Sequence, residues 1–312
     1  MTDWTIAAAM LNFPSVDNEG RSRQDASGEV WLSDLRQVAE AGFSHVDPTD
    51  SWLRVADLVP ARRAEFASAV AEAGLQAITL STARRSVIDP EAGDENLAYS
   101  HRVIEAASEL GMATVSFGLF RPFNTAQQQA LWFWTAQGPV DHPDQWDLAV
   151  RRLTELGRHA ADAGIDISLE MYEDTFLGSA DSSIRLVEEI GLDNVGLNPD
   201  LGNLLRLHRP IEHWQRTAEK VLPYANYWHV KNYSRVEDAN SGVVFAVPTS
   251  LELGTINYRW AVNFAIDHGF EGAFCVEHYG GDGLSVSASN RDYLRRILKQ
   301  PMREAESCDQ SL

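Results

Sequence analysis

Cysteine, basic residues and long hydrophobic stretches are all scarce in this 312-residue sequence. The two cysteines are Cys275, in a strand-like run, and Cys308, in a polar tail, and we expect both to stay reduced. No apolar stretch approaches the roughly 20 residues that a membrane helix needs. The opening segment, MTDWTIAAAMLNFPS, lacks the basic region of a secretory signal. These absences argue against a membrane protein and predict a cytoplasmic location.

Positive charge is the second shortage. The chain has 26 Lys and Arg residues against 45 Asp and Glu residues, which gives a formal net charge of −19. Binding to nucleic acid phosphates requires a cluster of basic side chains, and the sequence contains no such cluster. We therefore expect no nucleic acid partner, and we attribute most of the acidic excess to solvent-exposed helix faces.

Glycine-rich phosphate-binding loops are missing as well. The first turn, NFPSVDNEG, carries no glycine fingerprint, and neither GxGxxG nor GxxxxGK[ST] follows a strand-like run. Nucleotide binding of these two types is therefore disfavoured. What the chain does contain is 44% hydrophobic residues, enough for a large core in one α/β barrel or in two smaller domains.

Eight short apolar runs alternate with segments of helical spacing. Helical segments such as WLSDLRQVAEAG and RRAEFASAVAEAG end in glycine, which readily adopts the left-handed conformation at a helix end. This alternation predicts parallel strands joined by helical crossovers, and hence a (β/α)8 TIM barrel. We expect a single domain over residues 1–312 with a polar tail from about 302 to 312, and a doubly wound open sheet is the alternative. The runs cover residues 5–11, 43–48, 75–81, 112–118, 165–171, 194–200, 225–231 and 272–278.

Two predicted connections are longer than is usual for this fold. Residues 119–143 contain ALWFWTAQGPVDHP, and residues 233–252 are polar and then apolar. In a barrel of this kind, the loops that follow the strands build substrate specificity at the carboxyl-terminal face. The alternative for the Trp and Phe cluster is a hydrophobic segment that only packs on the barrel.

Polar side chains of the metal-ligand type occur at the ends of the last four predicted strands. Glu170 ends the fifth strand, Asp200 the sixth, His229 the seventh and Glu277 the eighth. Three carboxylates that converge in a confined site repel one another unless a cation or protons compensate. Three oxygen ligands and one imidazole suit Mn²⁺, Mg²⁺ or Co²⁺ better than structural zinc. We expect one divalent ion here, with Mn²⁺ preferred.

This order of strand-end residues resembles the xylose isomerase-like superfamily, which contains sugar isomerases, ketose 3-epimerases and type IV AP endonucleases. The resemblance spans the whole barrel. It implies that Glu170, Asp200, His229 and Glu277 hold one divalent ion and that Lys231, in WHVKN, lies beside the substrate oxygens.

Two positions depart from the superfamily pattern. Asn203 stands three residues after Asp200, where many relatives have histidine, and Asn232 follows Lys231 where aspartate is usual. The endonuclease members use additional His and Asp ligands for a trinuclear zinc site. An endonuclease function is therefore disfavoured, also because of the negative charge of the chain.

A single open metal site flanked by two glutamates supports removal of a proton next to a sugar carbonyl. Glu170, Glu277 and Lys231 are the candidate catalytic residues within the cluster. Isomerases, epimerases and eliminating lyases share this half-reaction, and the sequence separates them poorly. A sugar-binding or metal-storing barrel without catalysis is the non-enzymatic alternative.

The segment LWFWTAQGPVDHPDQW, residues 131–146, favours the lyase among these. It is expected to bring Trp132, Phe133, Trp134 and Trp146 near the barrel mouth, where an aromatic group could bind. This segment resembles the metal-bearing subunit of bacterial C-glycoside deglycosidases, enzymes that act on 3-keto sugars carbon-linked to flavonoid-like groups. The resemblance implies a carbon–carbon lyase and a small β-rich second subunit.

In that branch a histidine on the loop after the fourth strand is the expected base, and His142 is the matching residue. The alternative for His142 is a surface residue that caps the following helix. His45, Arg84, Arg85 and His278 are further candidates for substrate contact, because they follow predicted strand ends. The substrate is expected to be a small sugar or glycoside.

Overall fold

Parallel strands form a closed barrel in the computed structural model, which describes residues 4–238 and 240–298. One set of strands is ordered β3-β2-β1-β11-β8 and a second set β4-β5-β6-β7. Parallel bridges between Thr49 and Ser81 and between Leu197 and Ala225 join the two sets at both seams. The (β/α)8 prediction is confirmed. The strands are β1 Ile6–Ala9, β2 His45–Asp47, β3 Gln76–Ala77, β4 Thr79–Thr82, β5 Thr114–Phe117, β6 Asp166–Glu170, β7 Val195–Asn198, β8 Tyr227–Val230, β9 Asn232–Glu237, β10 Val244–Thr249 and β11 Ala273–Val276.

Each barrel strand is followed by a helix, and the third barrel strand is built from β3 and β4 together. Gly42 and Gly74 end the first two helical segments with φ values of 86° and 74°, in the left-handed region expected for a glycine stop. The helices are α1 Gly28–Glu40, α2 Pro60–Glu72, α3 Gly93–Glu109, α4 Thr125–Gln129, α5 Trp146–Asp162, α6 Ala180–Ile190, α7 Leu201–Leu205, α8 Trp214–Val221, α9 Tyr258–Asp267 and α10 Gly283–Ile297.

Small residues in β1 leave room inside the barrel for polar side chains. Ala7 and Ala9 pack with Tyr227 and Cys275 in a cluster that is separate from the large core between strands and helices. Because strand residues alternate between two faces, Ile6 and Ala8 belong to that outer core instead. The interior can therefore hold the hydroxyl of Tyr227 and, one layer above it, the imidazole of His229.

The two long connections have structures of their own. Residues 119–145 contain α4 and two turns of 3-10 helix, at Phe133–Thr135 and Pro143–Gln145. The second connection forms an antiparallel hairpin of β9 and β10, which the sequence did not predict. None of the helices in the described parts of the chain is long and apolar enough to cross a lipid bilayer. The tail at about 302–312, with Cys308, lies outside the described residues.

Candidate metal centre and cleft

The carboxyl ends of β6, β7, β8 and β11 bring the four predicted ligands together. Glu170 is the last residue of β6, Asp200 follows β7 by two residues, His229 lies in β8 and Glu277 directly follows β11. Ligand atoms of Glu170, Asp200 and His229 all lie within 4.8 Å of one another. Oε1 of Glu277 lies 3.2 Å from Nδ1 of His229. All four side chains are buried, so they form a buried Asp/Glu/His group that could bind one metal ion.

Lys231 is a buried cation in direct contact with this group. Its Nζ lies 2.6 Å from Oδ2 of Asp200 and 2.5 Å from Oε2 of Glu277. Burial would raise the pKa of Glu277, but the charges of Lys231 and His229 outweigh burial and lower it. The pKa of Asp200 is raised to about 6, first by burial and also by the neighbouring carboxylates, against the charge of Lys231. The ammonium of Lys231 thus forms ion pairs with both Asp200 and Glu277.

The imidazole of His229 has the orientation of a metal ligand. Nε2 lies 3.1 Å from Oδ2 of Asp47, and Nδ1 faces Glu277 at 3.2 Å and Glu170 at 3.6 Å. If Nε2 carries the proton toward Asp47, the lone pair of Nδ1 points at the two glutamates. Burial lowers the pKa of His229, but Glu277 and Glu170 raise it well above its usual range. A bound cation would replace that proton, because metal ligands bind in their deprotonated form.

Two buried atoms in this group have no aligned hydrogen bond among the described residues. They are Nδ1 of His229 and Oδ2 of Asp200, although Oδ2 is in ion-pair contact with Lys231. Buried polar atoms are normally satisfied, so such atoms indicate a missing partner. Carboxylate oxygens with one imidazole are a donor set for a hard divalent cation. The residues present therefore fit one divalent ion.

Asp47 is the site residue that the sequence interpretation missed. Its Oδ2 accepts hydrogen bonds from Ser81 Oγ at 2.7 Å and Tyr227 Oη at 2.8 Å, in addition to its contact with His229. His45 was predicted as a substrate contact on the assumption that it follows its strand. That placement is wrong, because His45 is the first residue of β2 and Asp47 is the last.

The two asparagines that depart from the superfamily pattern have structural partners. Nδ2 of Asn203 donates to Oε1 of Glu170 at 3.0 Å, so Asn203 positions a predicted ligand. The amide of Asn232 bonds Leu251 and Ile256 at 2.9 Å each and anchors the base of the hairpin.

A cleft opens to solvent beside the group, and Glu170, His229 and Glu277 form part of its wall. Arg84, one of the predicted substrate contacts, lines this cleft. His278 is buried next to Glu277 but is not among the lining residues, and burial lowers its pKa. The other lining residues include Thr49, Asp50, Ser81, Tyr172 and Tyr279.

The aromatic segment around Trp132 and Trp134 packs behind the cleft wall. Trp134 is 2% exposed, stacks on Trp132 at 4.7 Å between ring centroids and meets Tyr279 at 5.5 Å. The segment therefore lies beside the cleft: Trp134 contacts the lining residue Tyr279. Trp132, Phe133 and Trp134 are not among the residues that line the cleft, and their contact with substrate stays a prediction. The prediction is wrong for Trp146, which begins α5 and packs on Phe176.

A buried ion pair supports this aromatic segment. Nη2 of Arg206 donates to both carboxylate oxygens of Glu173 at 2.9 Å, and both side chains are at most 1% exposed. The guanidinium lies 5.0 Å from the ring centroid of Trp134 and 5.1 Å from that of Tyr172. These contacts hold in place, from behind, the two tyrosines that line the cleft, Tyr172 and Tyr279, which we call the tyrosine wall.

His142 lies apart from this group. Its side chain is 70% exposed, and Nδ1 accepts a hydrogen bond from the backbone of Asp144 at the start of the 3-10 turn before α5. This is the environment of the helix cap that was the alternative for His142. The structure does not place it among the residues that line the cleft, and its role as a base stays a prediction without geometric support.

Known proteins share both the fold and parts of the sequence. A family model described as xylose isomerase-like TIM barrel matches residues 35–297. A xylose isomerase-like TIM barrel protein from Mycobacterium smegmatis, solved in complex with magnesium, is 45% identical, with a TM-score of 0.91 and coverage of 94% of this chain and 96% of that chain.

Two further proteins are more distant. The 3-keto-D-glucoside 4-epimerase from E. coli shares the fold, at 15% identity and a TM-score of 0.63, over 94% of this chain and all of that one. An inosose dehydratase of Geobacillus thermodenitrificans is 29% identical over 149 residues, and the chain spans about half of that relative, with 45% of this chain and 49% of the other matched. The family match and the magnesium-bound relative lead to one conclusion: the chain belongs to the xylose isomerase-like TIM barrel family.

Proposed function

We propose that this protein moves a proton at a carbon next to the carbonyl of a keto sugar, as an isomerase or epimerase. The observation that carries the proposal is the pairing of Glu170 and Glu277, which approach Nδ1 of His229 from two directions and line one cleft. A carboxylate that removes a proton from carbon can return it, and a second carboxylate can return it at another position.

One divalent metal ion would be held by Glu170, Asp200, His229 and Glu277. When bound, it would stabilise negative charge on substrate oxygens. Mn²⁺ is the ion we propose, with Mg²⁺ and Co²⁺ as alternatives. The magnesium in the Mycobacterium smegmatis relative supports a hard divalent ion at a site of this family.

The protein side chains have defined tasks in this proposal. Lys231 keeps Glu277 ionised, which is the form that accepts a proton. Asn203 holds Oε1 of Glu170 and leaves its other oxygen toward His229. Asp47 fixes the imidazole from behind. These contacts set the orientation of both glutamates before the substrate arrives.

Cleavage of a carbon–carbon bond in a 3-keto C-glycoside is the second candidate. The observation that favours it is the tyrosine wall of Tyr172 and Tyr279, which is backed by Phe120 and Trp134 and could seat an aromatic group. The exposed position of His142 gives this candidate no base at the cleft, so Glu170 or Glu277 would have to remove the proton. For this candidate we also propose the small β-rich second subunit.

One experiment compares the two candidates. The protein is stripped with chelator, refilled with Mn²⁺ and incubated in D₂O with free ketoses and with an oxidised C-glucoside. For an isomerase or epimerase we expect deuterium in the ketose and a new isomer, and loss of both in Glu170→Gln and Glu277→Gln, while His142→Ala keeps them. Released aglycone, with or without an added small subunit, would instead support the lyase. Absence of every reaction across the panel would contradict both candidates and leave a binding barrel.

A further inference from the structure

Arg84 lines the cleft from a barrel strand that contributes none of the predicted metal ligands. It follows the third barrel strand, whereas the predicted ligands come from the last four barrel strands. Its guanidinium carbon lies 4.9 Å from the ring centroid of Phe123 and 5.3 Å from that of Phe133. The residues that the structure describes place no carboxylate within ion-pair distance of Arg84, unlike its neighbour Arg85, which contacts Asp50 at 3.3 Å. Stacking thus holds this cation in place without neutralising it.

Tyr172 adds a buried hydroxyl beside this cation. The residue lines the cleft at 3% exposure, and its Oη has no aligned hydrogen bond within the described ranges. Burial raises the pKa of Tyr172, and the positive charges of Arg84 and Arg206 oppose that effect; the Arg206 guanidinium lies 5.1 Å from the centroid of the Tyr172 ring. A neutral tyrosine hydroxyl next to cations offers a hydrogen-bond donor. The wall therefore presents donors and positive charge.

The acidic side chains around the cleft already have partners. Asp50 accepts a hydrogen bond from Tyr99 at 2.8 Å and pairs with Arg85, and burial raises its pKa to about 6. Glu173 is neutralised by Arg206. Glu170 and Glu277 face His229 in the predicted metal group. Arg84 is thus an exposed cation at the cleft wall that forms no salt bridge with a described carboxylate, and a guanidinium in this position can form charge-assisted hydrogen bonds with an anionic ligand.

We infer that Arg84 and Tyr172 form an anion subsite of the cleft, so that the substrate is a keto sugar carrying a carboxylate or a phosphate away from the reacting carbonyl. The inference rests on the proposed function for the identity of the sugar, but the subsite itself is a binding property. A carboxylate and a phosphate offer the same acceptor oxygens to arginine, and the experiment separates them.

Binding is measured by titration calorimetry with Mn²⁺-loaded protein and three probes that differ only at carbon 6: fructose, fructuronate and fructose 6-phosphate. A charge-assisted contact predicts that at least one acidic probe binds about tenfold or more tighter than fructose. Arg84→Leu should abolish the difference and Arg84→Lys should retain part of it. Arg36→Leu is the matched control, because it removes the same charge from an exposed pair with Glu72 on the outer helices.

Equal binding of all three probes, absence of binding by both acidic probes, or an acidic preference that survives in Arg84→Leu would overturn the subsite. The same samples are followed for deuterium exchange in D₂O, which reports the proposed function separately. Selective binding through Arg84 without exchange would leave the subsite and remove the proton-transfer proposal. Deuterium exchange of neutral and acidic sugars alike, unaffected by Arg84→Leu, would support the proton-transfer proposal and remove the anion subsite.

Discussion

Replacing Asp47 by asparagine should weaken metal binding while the barrel stays folded. A single oxygen of Asp47 receives Ser81 at 2.7 Å, Tyr227 at 2.8 Å and His229 at 3.1 Å. Asparagine has nearly the same shape, but its amide oxygen is neutral and its nitrogen cannot accept a hydrogen bond. The imidazole of His229 then loses the charged partner that fixes its ring and its tautomer.

The expected size of this effect follows from one lost contact. A hydrogen bond to a charged group contributes about 1.5–3 kcal/mol, which is roughly 10- to 150-fold in an equilibrium constant. Loss of a carboxylate behind a metal-bound histidine typically costs about 10- to 100-fold in metal affinity. We therefore expect the dissociation constant for Mn²⁺ to rise by about 10- to 100-fold in Asp47→Asn.

Titration calorimetry of Mn²⁺ into chelator-stripped protein measures this change, and circular dichroism verifies the fold. Asp141→Asn is the matched control, since Asp141 is also a buried carboxylate but accepts from the backbone of Phe176 at 2.9 Å, away from the ligand group. An unchanged dissociation constant in Asp47→Asn, or an equal loss in Asp141→Asn, would refute the reasoning about His229.

Three further predictions concern the support around the cleft. Glu173→Gln should lower the free energy of unfolding by about 3–5 kcal/mol because it leaves Arg206 buried without its partner, and urea denaturation measures this; a fully stable variant would contradict it. Trp134→Ala should lower the free energy of unfolding by about 3–5 kcal/mol by creating a cavity, whereas Trp132→Ala should cost less and, in the lyase case, raise KM for an aromatic substrate; lost stability with unchanged KM would reduce the segment to packing, and unchanged stability in Trp134→Ala would contradict the cavity. Burial raises the pKa of Asp141 to about 6 in the folded state, so its contribution to stability should fall by about 3 kcal/mol as pH rises from about 4 to about 6, and denaturation of wild type against Asp141→Asn across this range should show it; equal pH profiles would be inconsistent with that shift.

The barrel and its strand-end cluster could be predicted from the sequence because both depend on local patterns. Apolar runs of strand length alternate with helical spacing, and parallel strands in a closed barrel bring their carboxyl ends to one face. Side chains at the ends of successive runs, such as Glu170 and His229, must therefore converge. Their convergence does not depend on the path of the loops.

Strand bounds and loop packing could not be predicted in the same way. The run FSHVDP fits several three-residue strands, and only the pairing of β1 with β2 shows that Asp47 ends the strand and His45 begins it. The ion pair of Glu173 and Arg206 joins two loops whose approach is set by the barrel. The position of His142 depends on the path of a long connection, for which the sequence offers a cap signal and a catalytic interpretation equally.

Metal content reports on the assignment of the strand-end residues as a metal site. Wild type, Asp200→Ala and Glu170→Gln are stripped with chelator, refilled with Mn²⁺, desalted and analysed for metal by mass spectrometry, with unfolding curves for each. We expect one equivalent of Mn²⁺ per chain in wild type and its loss in both variants with the barrel intact. A full equivalent retained by the folded variants would contradict the assignment of the strand-end residues as the metal site.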